Sequence, residues 1–196
     1  MVTETKKYRI ESQEPKPSGG SFFWELIKVV LIAAMIIIPV RYFLVQPFQV
    51  KGASMEQNFS DGNYLIIDEI SYRFREIERG DVVVFRYPGN PREYYIKRII
   101  GLPGETVKIQ NGEVLVCNDD HPDCFSLDES SYLKPHERTP GNKKFEVDPG
   151  NYFVLGDNRN ASSDSRSWGE LPRDMIIGKV LLRVFPDFGL IPDMHY

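Results

Sequence analysis

The feature that most limits what this chain can fold into is the run from Phe22 to Val45, FFWELIKVVLIAAMIIIPVRYFLV. As a helix of about 24 residues it is roughly 36 Å long, enough to cross a bilayer with some tilt. Its centre, Val29 to Val40, is uncharged, with Glu25, Lys28 and Arg41 toward the ends and Phe22, Phe23, Trp24, Tyr42 and Phe43 where two headgroup layers would lie. Long charged side chains reach headgroups from such places, and aromatic rings favour that interface. The run is long for a cleavable leader and no small-x-small site stands convincingly before Pro47, so it reads as a retained anchor. Lys6, Lys7, Arg9 and Lys16 precede it, against Arg41 and Lys51 soon after. The positive-inside rule then keeps the N-terminus in the cytoplasm, with one pass through the cell membrane. The expected organisation is a disordered cytoplasmic tail at 1–20, an anchor at 21–46 and an extracytoplasmic domain at 47–196.

In the third segment the grammar changes to short runs rich in Val, Ile, Tyr and Phe, bounded by Gly, Pro, Asn or Asp. YLIIDEI, DVVVFRY, EYYIKRIIG, TVKIQNGEVLV, YFVLG and IIGKVLLRVF are the clearest. Asn111-Gly112 between VKIQ and EVLV suits the type I′ turn of a hairpin. The fold class is therefore mainly β, an antiparallel barrel-like or sandwich-like domain. Residues 118–147 are polar and rich in Asp, Ser, Pro and His, and read as a small inserted excursion from the core. Cys117 and Cys124 bracket the turn-rich NDDHPD, a spacing that allows a small disulfide loop in an oxidising compartment, with free thiols as the alternative. It matches no common zinc pattern. With a net charge of −4 and no basic stripe, nucleic acid is excluded as a partner.

Ser54, in VKGASMEQNF just beyond the anchor, is inert until a base takes its proton. His121 and His136 lie in the polar excursion and His195 is penultimate, so a histidine triad is not expected. Lys97, in EYYIKRIIG, stands among Tyr95, Ile96, Ile99 and Ile100; a lysine sealed among such neighbours loses its preference for the charged form. The loop GDNRNASSDSRSWG, 156–169, is too polar for core, and can fold around its own hydrogen bonds and an Asp–Arg pair.

In order along the chain, the span, GASM, RGDVVVFRYP, YIKRIIGLPGETV and GDNRNASSDSRSWG resemble the type I signal peptidase family, membrane-bound serine peptidases that remove signal peptides from exported proteins. The resemblance implies Ser54 as nucleophile and Lys97 as general base, Ser162 as hydrogen-bond partner of that lysine, Asp164 and Arg166 as a structural pair, and a structural role for Arg79 and Asp81. It implies the disulfide Cys117–Cys124 seen in some members, a preference for small residues one and three places before the cut, and no metal or cofactor. Signal peptides of exported precursors and membrane lipid are the implied partners, near the export machinery. Two departures stand out. Gln57 and Asn58 replace the Pro-Thr common after the nucleophile, and Gly52 replaces a serine that helps hold the oxyanion in some members, leaving that task chiefly to the Ser54 N–H. Phe48, Met55 and Phe59 are expected to add apolar contact with the membrane interface. The rival readings are a self-cleaving Ser-Lys peptidase and a non-catalytic assembly partner in surface-fibre formation.

Overall fold

The computed structural model of the protein describes residues 19–43, 46–186 and 188–190. The expected tail lies almost wholly outside them. The chain divides into two compact units, Met1–Pro39 and Val40–Tyr196. The helix α1 (Gly19–Phe43) accounts for the described part of the first and runs on into the second. Among the described residues no helix is long and apolar enough to cross a membrane; the side chains described on α1 run from Phe22 to Ile37, short of the full run read from sequence.

The second unit is antiparallel throughout, in two sheets. The larger orders its strands as β1 (Gln46–Gln49), β2 (Tyr64–Asp68), β11 (Ile176–Phe185), β3 (Val82–Tyr87), β4 (Asn90–Gly101), β9 (Asn151–Leu155) and β10 (Leu171–Pro172), with β12 (Gly189–Leu190) also paired to β11. The smaller is β7 (Phe125–Ser126), β6 (Glu113–Cys117), β5 (Thr106–Gln110) and β8 (Lys143–Glu146). Each run read from sequence forms its strand for the reason given: branched and aromatic side chains fit a pleated surface buried on at least one face. Asn111 and Gly112 both take positive φ, 54° and 86°, as a type I′ turn requires.

The expectation of a barrel is corrected. The larger sheet does not close into a barrel: its path ends at β1 and β10, which do not pair. It curls enough to bring the Phe48 and Tyr94 rings to 5.5 Å, yet β1 and β4 remain parted by a cleft. The stretch 118–147, read as a small inserted excursion, carries structure of its own. It supplies β7 and β8 to the smaller sheet, and its residues Leu127, Tyr132, Leu133 and Thr139 are buried.

Three apolar clusters fill the unit. One gathers Val50, Met55, Phe59, Leu65, Ile67, Val82, Val84, Ile96 and Val180. Met55 and Phe59, expected at the membrane interface, are 0% and 1% exposed in this core, because the turn that carries Ser54 folds inward on them. A second cluster holds Phe85, Ile99 and Val154 under Tyr95 and Trp168, and a third joins the two sheets through Ile100, Val107, Val116 and Phe153.

Cys117 and Cys124 are joined. Closing so short a loop removes little chain entropy, so replacing both by Ser is expected to cost roughly 2–3 kcal/mol, read as a lower urea midpoint. A midpoint equal to that of the parent protein would contradict this.

Candidate active site

Lys97 pairs across β4 with Val83 of β3. Simple alternation would turn one face of the strand to water, but every residue from Ile96 to Gly101 is buried, because the clusters flank the strand on both sides. Lys97 is 3% exposed. Its Nζ donates to Ser54 Oγ at 2.7 Å and to the Ile96 carbonyl at 2.7 Å, and lies 5.3 Å from the centre of the Tyr95 ring. That ring stacks on Tyr87 at 4.5 Å, with Trp168 and Phe85 packed about them. Burial is the strongest influence on Lys97 and takes its pKa from 10.5 down to about 8, while the Asp164 and Asp157 carboxylates pull the other way.

Ser54 opens a tight turn in which Glu56 N–H donates to the Ala53 carbonyl at 3.1 Å and Phe59 N–H to Met55 at 2.8 Å. The Gly-Asp-Asn-Arg segment grips this turn from outside. Asn158 donates its backbone N–H to the Ser54 carbonyl at 3.0 Å and its Nδ2 to the Ala53 carbonyl at 3.0 Å. The Asp157 N–H points at Met55 Sδ, 3.2 Å away. Gly156 has no room for a side chain: a Cβ there would strike the Ser54 carbonyl and Ser162 Oγ. In sequence these residues read only as a polar loop; the close approach of backbone to backbone explains the glycine.

Beneath the turn lies a buried ion pair that sequence reading did not anticipate. Arg98, next to Lys97 but on the opposite face of β4, clasps Asp157 through Nε at 2.8 Å and Nη2 at 2.6 Å. It also donates to the Gly80 carbonyl at 2.9 Å, and its guanidinium lies 4.1 Å from the Tyr132 ring centre. Asn58 Nδ2 completes the site, donating to Asp157 Oδ2 at 2.8 Å and to the Tyr132 carbonyl at 2.9 Å. The strand bearing Lys97, the turn bearing Ser54 and the loop at 156–158 are thus tied together by one carboxylate. Asp157→Ala leaves the guanidinium buried and uncompensated, and is expected to cost about 3–5 kcal/mol; an unchanged urea midpoint would show that the pair is not what binds these elements.

The departures noted in sequence have structural correlates. Gln57 takes φ of 93°, which the proline ring, locked near −65°, cannot adopt. Asn58 spends its amide on Asp157 and Tyr132 as described. Gly52 sits at φ of 87° and commits its N–H to Asp61 Oδ1 at 2.8 Å, so that donor is directed away from an incoming carbonyl.

Other expected residues are placed as follows. Asp164 is fully buried, caps α2 (Ser165–Trp168) through the Arg166 N–H, and is held by Arg166 Nε and Nη2 at 2.8 Å each. It also accepts from the Gly156 N–H at 3.1 Å, which makes it part of the frame behind the serine turn. Arg79 forms a bidentate pair with Glu105, and Asp81 accepts from the Tyr72 hydroxyl at 2.7 Å and pairs with Lys179 at 2.7 Å. Ser162 is a correction. Its Oγ is buried without a hydrogen-bond partner, lodged against Gly156, and it does not hold Lys97, whose bonds go to Ser54 and Ile96. His121 and His136 are remote from Lys97 in the hydrogen-bond network, and His195 lies outside the described residues. Arg159, 1% exposed, reaches into the 118–147 stretch to pair with Glu129 at 2.5 Å.

A cleft of about 620 Å³ opens on Ser54 and Lys97. Residues 48–53 form one wall, residues 92–96 the other, and Leu65, Val84 and Ile96 give it an apolar floor. β1 is hydrogen-bonded to a neighbour only along β2, and β9 joins β4 only from Arg98 onward. Each wall therefore presents a strand edge that no described strand covers.

Residues 23–185 match the family model described as signal peptidase, peptidase S26. The chain is 35% identical to the probable signal peptidase I-1 of Synechocystis sp., over 88% of this chain and 87% of that protein. It is 36% identical to signal peptidase IB of Staphylococcus aureus, over 83% and 89% respectively. The crystal structure of a signal peptidase I from Enterococcus faecalis shares 29% identity and covers 54% of this chain and 97% of its own, with a TM-score of 0.45.

Proposed function

Since this chain belongs to the signal peptidase family, peptidase S26, we propose that it is a membrane-anchored serine endopeptidase that cuts signal peptides from exported precursors, with Ser54 as nucleophile and Lys97 as general base. The observation that carries the reading is the 2.7 Å contact between Lys97 Nζ and Ser54 Oγ at the end of an open cleft, with the lysine sealed from water.

The chemistry follows from that contact. Neutral Lys97 takes the Ser54 proton as Oγ attacks the scissile carbonyl, and the oxyanion that forms faces the Ser54 N–H, which donates no hydrogen bond to another described residue. Collapse expels the amine of the mature protein, which receives the proton from the Lys97 ammonium, and leaves an acyl-enzyme on Ser54. Lys97, neutral again, then takes a proton from water, whose hydroxyl attacks the ester; as the C–O bond to Ser54 breaks, Lys97 returns that proton to Oγ and the signal peptide is freed. Because burial has lowered the pKa of Lys97, the base form is present near neutral pH.

The cleft suits the substrate. A peptide laid between two free strand edges pairs its main chain with both walls, while alternate side chains meet the apolar floor. Small residues at Gly52 and Ala53 leave room beside the reacting carbonyl.

For the anchor, Val29, Val30, Leu31 and Ile32 are successive residues and so cover all sides of α1, and each is more than half exposed. A helix apolar all round is stable when buried in protein or in lipid. The longer run to Val45 and the cations before it extend this to a single pass with the N-terminus inside. Confinement of enzyme and precursor to one membrane raises their effective concentration.

The test is incubation of the purified full-length protein, in detergent or vesicles, with an exported precursor. One discrete cut at the signal-peptide boundary is expected; intact precursor under conditions where the protein is folded would overturn the reading.

A further inference from the structure

We infer that Asn158 is a positioning residue for the oxyanion hole: it sets the direction of the Ser54 N–H by holding the carbonyl at the other end of the same peptide unit. The inference rests on the proposed role of Ser54 and adds a residue to it.

A peptide group is planar and trans, so its C=O and N–H point in opposite directions and turn as one body. The unit between Ala53 and Ser54 carries the Ala53 carbonyl at one end and the Ser54 N–H at the other. Asn158 Nδ2 donates to that carbonyl at 3.0 Å, and Asn158 does not line the cleft whereas Gly52, Ala53 and Ser54 do; the Ser54 N–H, antiparallel to that carbonyl, is thereby turned from Asn158 toward the cleft. The next peptide unit is held by the same residue, since the Asn158 N–H donates to the Ser54 carbonyl at 3.0 Å. One asparagine thus pins two consecutive peptide planes with Ser54 between them.

The geometry separates this role from two others. The Glu56 N–H also reaches the Ala53 carbonyl, at 3.1 Å, and alone can close the turn; the amide of Asn158 is a second tether, so its loss should loosen the plane without unfolding the turn. Asn158 has no hydrogen bond to Lys97 and carries no charge, so it leaves the base unaffected. Asn158 itself is only partly buried. With Gly52 lacking a side chain and its N–H turned to Asp61, the Ser54 N–H bears more of the oxyanion than it would beside a hydroxyl, which makes its aim more important here.

The effect should appear wherever a tetrahedral oxyanion is bound and nowhere else. Loss of a whole oxyanion donor costs about 10²–10³-fold in kcat; loosening one should cost roughly tenfold. In Asn158→Ala, assayed as full-length protein on a precursor peptide, kcat is expected to fall about tenfold with KM and the lysine limb of the pH profile unchanged. A peptide aldehyde, which forms a hemiacetal on Ser54, should lose affinity by the same factor, and the analogue with a reduced CH₂–NH in place of the scissile amide should keep its affinity. Asn158→Leu, of similar size, uncharged and without the donor, is the second variant should the alanine protein fold poorly. Equal losses for aldehyde and reduced analogue, a displaced lysine limb, or unaltered kcat would each overturn the inference. If Ser54→Ala still cleaves, the proposed function fails first; if Ser54→Ala is dead and Asn158→Ala is normal, only this inference fails.

Discussion

Ser54→Ala is expected to lower cleavage of a precursor by roughly 10⁴-fold or more, the scale on which a nucleophile contributes when the remaining binding and oxyanion groups are intact. The fold should survive. Ser54 is only partly buried, the turn around it is held by Met55, Phe59 and the backbone bonds from Asn158, and Lys97 retains the Ile96 carbonyl as a partner. The measurement pairs kcat/KM with a thermal melt on the same preparation. Turnover within tenfold of the parent, from a protein that melts normally, would remove Ser54 from the mechanism and the mechanism with it.

The second large effect is at Lys97. Lys97→Arg should be as inactive as Lys97→Met, since a guanidinium stays charged throughout the usable pH range and cannot take a proton. In the parent protein kcat/KM should rise with pH along a limb centred near 8, because burial has lowered the lysine pKa to about 8 and only the neutral amine is a base. A limb near 10, or activity in the arginine variant, would place the base elsewhere.

Stability should rise with pH over the same range in which activity rises. The folded-state pKa lies below the unfolded value of about 10.5, so the fold is hardest on the charged form: as pH falls from 10.5 toward 8 the native state loses stability, and below 8 the penalty is complete. With Lys97 nearly sealed, the difference amounts to roughly 3 kcal/mol. Lys97→Met is therefore expected to melt higher than the parent at pH 7, with the gap closing by about pH 10.5. A methionine variant that is less stable than the parent at pH 7 would show that the lysine is better accommodated as a cation than its burial implies. The arrangement fits a site in which burial that weakens the fold prepares a base.

How far the sequence reaches can be judged from particular elements. β2, β3, β4, β9 and β11 are legible because their Val, Ile, Tyr and Phe runs must be buried on at least one face, and the Asn111-Gly112 turn because two positive φ values in succession demand such residues. β1, QPFQ, has no such local signal. It becomes a strand by pairing with β2, from Gln46 against Ile67 to Gln49 against Tyr64. The short strands β7, β8, β10 and β12 likewise owe their form to a partner.

The same division runs through the site. Ser54, Lys97, Asp164 and Arg166 could be named from their motifs, and the burial of Lys97 from the isoleucines beside it. The tie between Arg98 and Asp157, 59 positions apart, the anchoring of Arg159 by Glu129 and the hold of Asn158 on the Ala53 and Ser54 carbonyls could not. Nor could the idle hydroxyl of Ser162 or the failure of the sheet to close. The physical reason is range. Periodicity, turn chemistry and the hydrophobic run at 22–45 are properties of neighbouring residues and are fully expressed along the chain, so the sequence by itself determined the longer strands, the hairpin and the identity of the candidate serine and lysine. The direction of a hydrogen bond depends on ångström distances between segments a hundred residues apart, which only the folded packing sets; tertiary structure alone decided that Lys97 touches Ser54, that the sheet stays open as a cleft, and which groups hold the serine turn in place.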